Sequence, residues 1–92
     1  MIERTATQQI HELKIWPKFY AAVASGEKTF EFRFNDRNYQ RGDILVMKCF
    51  DPENREFHPS LPSIKKQIGF ILPVKSEFSD QWVILSLLEV KS

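Results

Sequence analysis

Two residue periodicities meet in the segment His11-Glu-Leu-Lys-Ile-Trp-Pro-Lys-Phe-Tyr-Ala-Ala-Val-Ala-Ser-Gly26. Its first five residues alternate, with His11, Leu13 and Ile15 on one side, which predicts a short half-buried strand. Pro17 is typical of the first position of a helix, because its missing N–H has no helical partner there. Gly26 readily adopts the left-handed conformation that ends a helix. The helical spacing further predicts a buried stripe made of Trp16, Phe19, Tyr20 and Val23.

Runs that predict strands continue along the rest of the chain, at residues 28–34, 44–50, 64–72 and 82–90. A short edge strand is expected within residues 56–60, because Pro59 and Pro62 exclude a central position in a sheet. Gly69 predicts a bulge in its strand. The connections between the later strands are too short for parallel crossovers, so these strands should pair antiparallel.

The fold class that follows is mostly β with one main helix (α+β). Short strands and a single helix cannot bury their apolar faces in an open sheet of this size. Curling into a closed or nearly closed barrel would bury those faces and remove the exposed strand edges. We therefore expect a small five- to six-stranded β-barrel with the helix packed at its mouth.

Length and composition indicate one globular domain of 92 residues, 42% hydrophobic and 27% charged. The formal charge of +1 gives no argument for nucleic acid or a membrane surface as the partner. No apolar run approaches the roughly 18 residues that a membrane span needs, and the start lacks the apolar middle of a signal peptide. We expect a cytoplasmic protein without membrane association, monomeric by default. Residues 1–10 are expected to be a flexible leader, and residues 11–92 the domain.

Several kinds of chemistry have no basis in this sequence. There is no glycine-rich phosphate loop, and no cofactor is expected. His11, His58 and Cys49 are too widely spaced for a metal-ligand pattern, so no metal is expected either. As the only cysteine, Cys49 cannot form an internal disulfide, and its strand position favours an inert core thiol. His11 lies on the apolar side of its strand, which favours a structural histidine.

Aromatic and basic residues concentrate in the first half of the chain. Seven of the twelve aromatic residues fall between Trp16 and Tyr39, and residues 11–42 hold six basic and four acidic side chains. Glu31 and Arg33 share one face of the strand after the helix, about 6.6 Å apart along the chain. One interpretation is an outward-facing ion pair worth less than about 1 kcal/mol.

The alternative interpretation is a cleft that binds a phosphate or a nucleobase. The cations of this cleft come from Lys14, Lys28, Arg33 and Arg37. A stacking surface comes from Trp16 or Tyr39, and contacts to base edges come from Glu31 and Asn35. The same strand alternation is compatible with both interpretations. The cleft requires the helix to lie over this strand, whereas the outward-facing ion pair does not.

The segment Gly26-x-Lys28-x-x-Glu31-x-Arg33 resembles the signature of the ASCH domain, a branch of the PUA-like superfamily. With His11-Glu-Leu-Lys-Ile-Trp-Pro17, Asn35-Asp-Arg37, Gly42-Asp43 and Asp51-Pro52, the chain looks like a short bacterial and phage family of unknown function within that branch. The resemblance extends from about His11 to Val90. It implies a PUA-like barrel with a cleft between helix and barrel that holds RNA or a modified nucleoside, lined by Lys28, Glu31 and Arg33, with Lys14 nearby.

Three functions follow as hypotheses. The first is an RNA-binding or modified-nucleoside-binding module that uses this cleft. The second rests on an ASCH branch of amidohydrolases that deacetylate N-acetylated cytidine with a Lys, a Thr and a Glu. Lys28 matches that lysine, but Glu31 stands at the threonine position and the catalytic glutamate has no counterpart that we can place, so Lys28 and Glu31 are its only candidate catalytic residues. The third is a phage or host protein-interaction module that uses the sheet edge around Phe57 to Ser60.

Overall fold

A computed structural model of the protein describes residues 8–90, which form six strands and one helix. The elements, in chain order, are β1 (Ile10–Ile15), α1 (Pro17–Ala24), β2 (Phe30–Phe34), β3 (Ile44–Asp51), β4 (Glu56–Phe57), β5 (Ile64–Val74) and β6 (Trp82–Glu89). The mostly β architecture with one helix is confirmed, and the predicted strand ends differ from these by at most three residues. Of the expected leader at residues 1–10, residues 1–7 lie outside the described part of the chain, where it stays a prediction. Ile10 instead belongs to β1, and Gln8 and Gln9 are hydrogen-bonded to Gly42 and Asp43.

The strands form one sheet in the order β1-β3-β5-β6-β2, with β4 paired to β3 beside this path. The pairs β3–β5, β5–β6 and β2–β6 are antiparallel, as the short connections predict. β1 pairs parallel with β3, because α1 and β2 intervene between them and provide the crossover. Along the chain, β2 forms the opposite edge of the sheet before β3 pairs with β1.

The sheet is not closed into a barrel, which corrects the expectation. β1 and β2 are the two ends of the strand order, yet the side chain of Arg33 on β2 reaches β1 and donates from Nη2 to the carbonyl of Lys14 at 2.7 Å. Arg37, just after β2, donates from Nη1 to the carbonyl of Glu12 at 2.6 Å. We call this side-chain-bridged gap between β1 and β2 the seam. A backbone ladder needs strands about 4.8 Å apart, and at the seam the guanidinium groups occupy that space instead.

The core lies on the inner side of the curled sheet. β1, β3 and β6 each bury alternate residues, and β3 supplies Leu45, Met47 and Cys49, which are 0–3% exposed. Burial, followed by the carboxylate of Asp51, raises the pKa of the Cys49 thiol, which is consistent with its predicted place as a core side chain. The other core members are Leu13, Ile15, Tyr20, Val23, Tyr39, Ile68, Val83, Leu85 and Leu87.

The helix α1 buries less than its spacing predicts. Tyr20 and Val23 face the core, and the Tyr20 hydroxyl donates to the carbonyl of Pro62 at 2.7 Å. Trp16 and Phe19 are 43% and 39% exposed, so their expected place in the buried stripe is wrong. An eight-residue helix has only about two turns, and of its residues only Tyr20 and Val23 are buried. Gly26 ends the helix region with a φ of +84°, as predicted.

The hydrogen-bonded pair of His11 and Asp43 is buried where β1 meets the turn before β3. His11 Nε2 lies 2.9 Å from Asp43 Oδ2, and the backbone N–H groups of Gln9 and Gln40 donate to the same carboxylate. His11 is therefore a structural histidine, as its strand position favours. Within residues 8–90 no three His, Cys, Asp or Glu side chains are grouped as a metal site requires. That part of the chain also contains no helix with the length and apolar character to cross a membrane.

Candidate functional site

A cleft of about 780 Å³ lies at the seam, where the end of β1, the first turn of α1 and β2 meet. A ligand-binding cleft for a small molecule typically has a volume of about 300–1,000 Å³. Five of the eight predicted site residues line it, namely Lys14, Trp16, Lys28, Glu31 and Arg33. The cleft arises because β1 runs directly into the helix through Trp16 and Pro17, and β2 begins a few residues after that helix ends.

Glu31 is the buried charge of the cleft, at 5% exposure. Its Oε1 accepts from Lys28 Nζ at 2.8 Å, and its Oε2 accepts from Arg33 Nε at 3.0 Å. The two cations are 17% and 26% exposed, so they shield the carboxylate from water while remaining accessible themselves. A buried carboxylate requires such partners, because removing it from water without them costs several kcal/mol. The interpretation of Glu31 and Arg33 as an outward-facing ion pair is therefore wrong.

The position of Lys28 depends on the end of the helix. Its backbone N–H donates to the carbonyl of Ala22 at 2.9 Å, which holds the turn after Gly26 against α1. From there Lys28 Nζ also donates to the carbonyl of Phe30 at 2.6 Å and lies 4.8 Å from the centroid of the Phe30 ring. The ammonium group is thus held at the cleft wall by a carboxylate, a carbonyl and an aromatic face.

Arg33 links the cleft to the seam. Its Nε donates to Glu31 and its Nη2 donates to the carbonyl of Lys14, so the orientation of the guanidinium group is fixed by two hydrogen bonds. A guanidinium carries five N–H donors, and these two contacts use two of them. The same side chain therefore joins β2 to β1 and can present further donors to an anion in the cleft.

Exposed aromatic rings, which were not among the predicted site residues, line the rest of the cleft. Phe19 comes from α1, Phe30, Phe32 and Phe34 from β2, and Trp82 from the start of β6. Phe32 stacks on Trp82 with ring centroids 5.1 Å apart, and all five rings are 38–52% exposed. The signal for the β2 rings was their strict alternation with Glu31 and Arg33, but alternation identifies two faces without identifying the buried one. Trp82 is distant in sequence and had no such signal.

Asn35 and Arg37 do not line the cleft. The Asn35 side chain accepts from the backbone N–H of Tyr39 at 3.1 Å, and Arg37 holds the β1 edge at the seam. Tyr39, a candidate stacking surface, is 3% exposed and packs edge-on against His11 with ring centroids 4.9 Å apart. Burial raises the pKa of Tyr39, an effect that the charges of Arg33 and Arg37 oppose. These three residues serve the turn after β2, because their polar atoms or rings already have intramolecular partners.

A second hollow, of about 760 Å³, lies around the Gly42 turn and the start of β5. It is lined by Gln40, Arg41, Gln67 and Ile68 among others, and includes none of the eight predicted residues. Its polar groups are mainly amides, whereas the seam cleft combines a buried carboxylate, three cations and exposed rings. The seam cleft therefore has the composition of a ligand-binding site more clearly than the second hollow does.

Comparison with known proteins places the chain in a family. A protein of Escherichia phage P2, described as an uncharacterized 12.9 kDa protein in the GpA 3′ region, is 49% identical to it over 39 residues. That alignment covers 42% of this chain and 36% of the phage protein, so the chain spans about a third of that relative's length. A family described as a domain of unknown function (DUF3850) matches residues 10–87. Because that match covers most of the chain, from the start of β1 into β6, the protein belongs to the DUF3850 family.

Proposed function

We propose that the seam cleft binds single-stranded RNA or a modified nucleoside. The observation that carries this proposal is the combination, around one cleft, of Lys14, Lys28 and Arg33 with exposed aromatic rings. Sites for single-stranded nucleic acid combine cations that contact the backbone with rings on which bases stack. The resemblance of Gly26 to Arg33 to the ASCH signature of the PUA-like superfamily supports the same function.

The contacts suggest separate roles for the side chains. Arg33 and Lys28 contact phosphate or exocyclic oxygens, because each has donors beyond those used on Glu31. Trp16 and Phe19, both exposed and on the helix side, supply the stacking surface for a base. Glu31 has both oxygens engaged by cations, so its role is to position Lys28 and Arg33 rather than to contact a base edge.

The fluorescence of the protein itself provides the test. Both tryptophans of the chain, Trp16 and Trp82, line the cleft, so a bound base should quench their emission. We expect a single-stranded RNA oligonucleotide to bind at low salt, with an affinity that falls as salt rises. Arg33→Ala should reduce the slope of that salt dependence by about one.

Lys75→Ala is the matched control, because Lys75 is an exposed cation that does not line the cleft. It removes the same charge and should leave the salt slope within error of the unmodified protein. Absence of quenching and of binding at low salt by a folded protein contradicts the proposal. Equal effects of the two variants would indicate non-specific attraction and would contradict the assignment of the cleft.

The direct contact between Lys28 Nζ and Glu31 Oε1 supports a second candidate function, hydrolysis of an acylated nucleoside. In this reaction water adds across the amide of N-acetylated cytidine, which yields acetate and cytidine, with Glu31 and Lys28 as the proton-transferring pair. Chromatography of cytidine after incubation with the protein is the test. Turnover that is lost in Lys28→Ala supports it, and no turnover, or turnover that Lys28→Ala leaves unchanged, eliminates it.

A further inference from the structure

The outer surface of β2, β6 and β5 carries two apolar cross-strand rows. Phe32, Ile84 and Leu72 form one row, and Phe34, Trp82 and Val74 form the other, each row crossing all three strands. We call these six residues the apolar face. Four of them are large side chains with 38–52% exposure, and no charged residue stands within either row.

This face is unusual because large side chains on the outside of a sheet are normally covered or interrupted by charges. With the flanking Phe30 and Phe70, which are 45% and 58% exposed, it presents on the order of 500 Å² of apolar surface, taking about 150–250 Å² for each whole aromatic side chain. An area of this size is at the upper end of the patches found on monomers.

We propose that the apolar face is the interface through which two copies of this chain form a dimer related by a two-fold axis. In such an interface the same patch meets itself, so it must be complementary to itself in charge. A face without charge satisfies that condition. A polyanion such as RNA would need cations across the face, and neither row contains one. Arg33 and Lys28 lie only at its border, where the face meets the cleft.

The area of the apolar face is also consistent with an interface to a second copy of the chain. Two such faces together bury about 1,000 Å², which reaches the lower bound for a specific interface and corresponds to a weak, reversible dimer. Addition of a strand at the β2 edge is a poor alternative, since Arg33 already bridges that edge to β1 across the seam. The partner therefore lies over the face, and it borders the cleft because Phe32, Phe34 and Trp82 belong to both.

Sedimentation equilibrium of the intact chain tests the dimer, between about 1 μM and about 500 μM, a range that covers weak association. We expect the average mass to rise from 10.9 kDa towards twice that value with concentration. Leu72→Glu should remain at the monomer mass throughout, because it places a charge within an apolar interface. Leu61→Glu is the control: Leu61 is exposed to a similar degree, 42% against 48%, and lies off the apolar face.

The proposal is overturned if the unmodified chain remains monomeric over the whole range, or if Leu72→Glu associates as strongly as Leu61→Glu. Circular dichroism establishes that each variant is folded, and Ile84→Lys in the same row replaces Leu72→Glu if the latter unfolds. A monomer that binds neutral lipid vesicles through this face would also overturn it. Because the dimer would cover Phe32, Phe34 and Trp82, which also line the cleft, Leu72→Glu separates the two proposals. Leu72 lies outside the cleft, so this variant should lose the dimer and keep the salt-dependent RNA affinity.

Discussion

At the scale of single residues, Glu31 is the side chain that organises the cleft. It lies opposite Leu85 in the β2–β6 register, among core-facing positions where an apolar side chain is the rule. Lys28 and Arg33 make this position tolerable, since each carboxylate oxygen receives a charge-assisted hydrogen bond. The buried carboxylate of Glu31 therefore holds Lys28 and Arg33 in place at the cleft wall.

Replacing Glu31 with glutamine tests this positioning role. One carboxylate oxygen becomes an amide N–H₂, so one of the two cations faces a donor instead of an acceptor. We expect Glu31→Gln to lower the free energy of unfolding by about 1–3 kcal/mol, measured by urea denaturation, and to weaken RNA binding several-fold. Glu27→Gln makes the same charge change at an exposed position and should alter stability by less than about 0.5 kcal/mol. Equal effects of the two substitutions would contradict the role assigned to Glu31.

The β5–β6 pair shows how one glycine shapes an element. The register shifts between Ile68 and Ile71, which confirms the bulge predicted at Gly69. The backbone N–H of Phe70, displaced from the ladder, donates to the Ser86 hydroxyl at 2.7 Å. A Cβ at position 69 would lie 2.6 Å from that same oxygen, so the bulge requires a residue without a side chain.

Gly69→Ala should therefore destabilise the protein by about 1–3 kcal/mol through steric overlap with Ser86 and Leu88. The double variant Gly69→Ala with Ser86→Gly removes the closest atom at the cost of the hydrogen bond to Phe70. If overlap is the cause, the double variant is destabilised by less than the sum of the two single variants in urea denaturation. Strict additivity would show that Ser86 is not the obstacle.

At the scale of the whole molecule, two polar connections add to the β3 ladder in joining the first strand to the rest. At one end the Asp43 carboxylate collects His11 and the backbone N–H groups of Gln9 and Gln40. At the other end Arg33 and Arg37 hold the β1 carbonyls across the seam. The curled sheet is thus completed by side chains where a barrel would use a backbone ladder.

The Asp43 connection makes stability depend on pH. Burial alone would raise the pKa of Asp43, but the hydrogen bonds from His11, Gln9 and Gln40 outweigh it and hold the pKa below its ordinary value of 3.8. The ionised group therefore stabilises the fold above about pH 3.8, and this contribution is lost as the pH falls through the folded-state pKa. We expect the free energy of unfolding to fall more steeply below pH 4 in the unmodified protein than in Asp43→Asn. Parallel pH profiles for the two proteins would contradict this.

The sequence alone determined the elements, because strand and helix periodicities, Pro17, Gly26 and Gly69 act over a few neighbouring residues. It also placed Lys28, Glu31 and Arg33 on one short segment, which is why most of the predicted cleft residues lie together. Only the tertiary structure decided which side of β2 faces inward, since a strict alternation of Phe with Glu and Arg is compatible with either side. The open seam, the parallel β1–β3 pair and the contribution of Trp82 likewise depend on contacts between residues far apart in the chain, which no local pattern encodes.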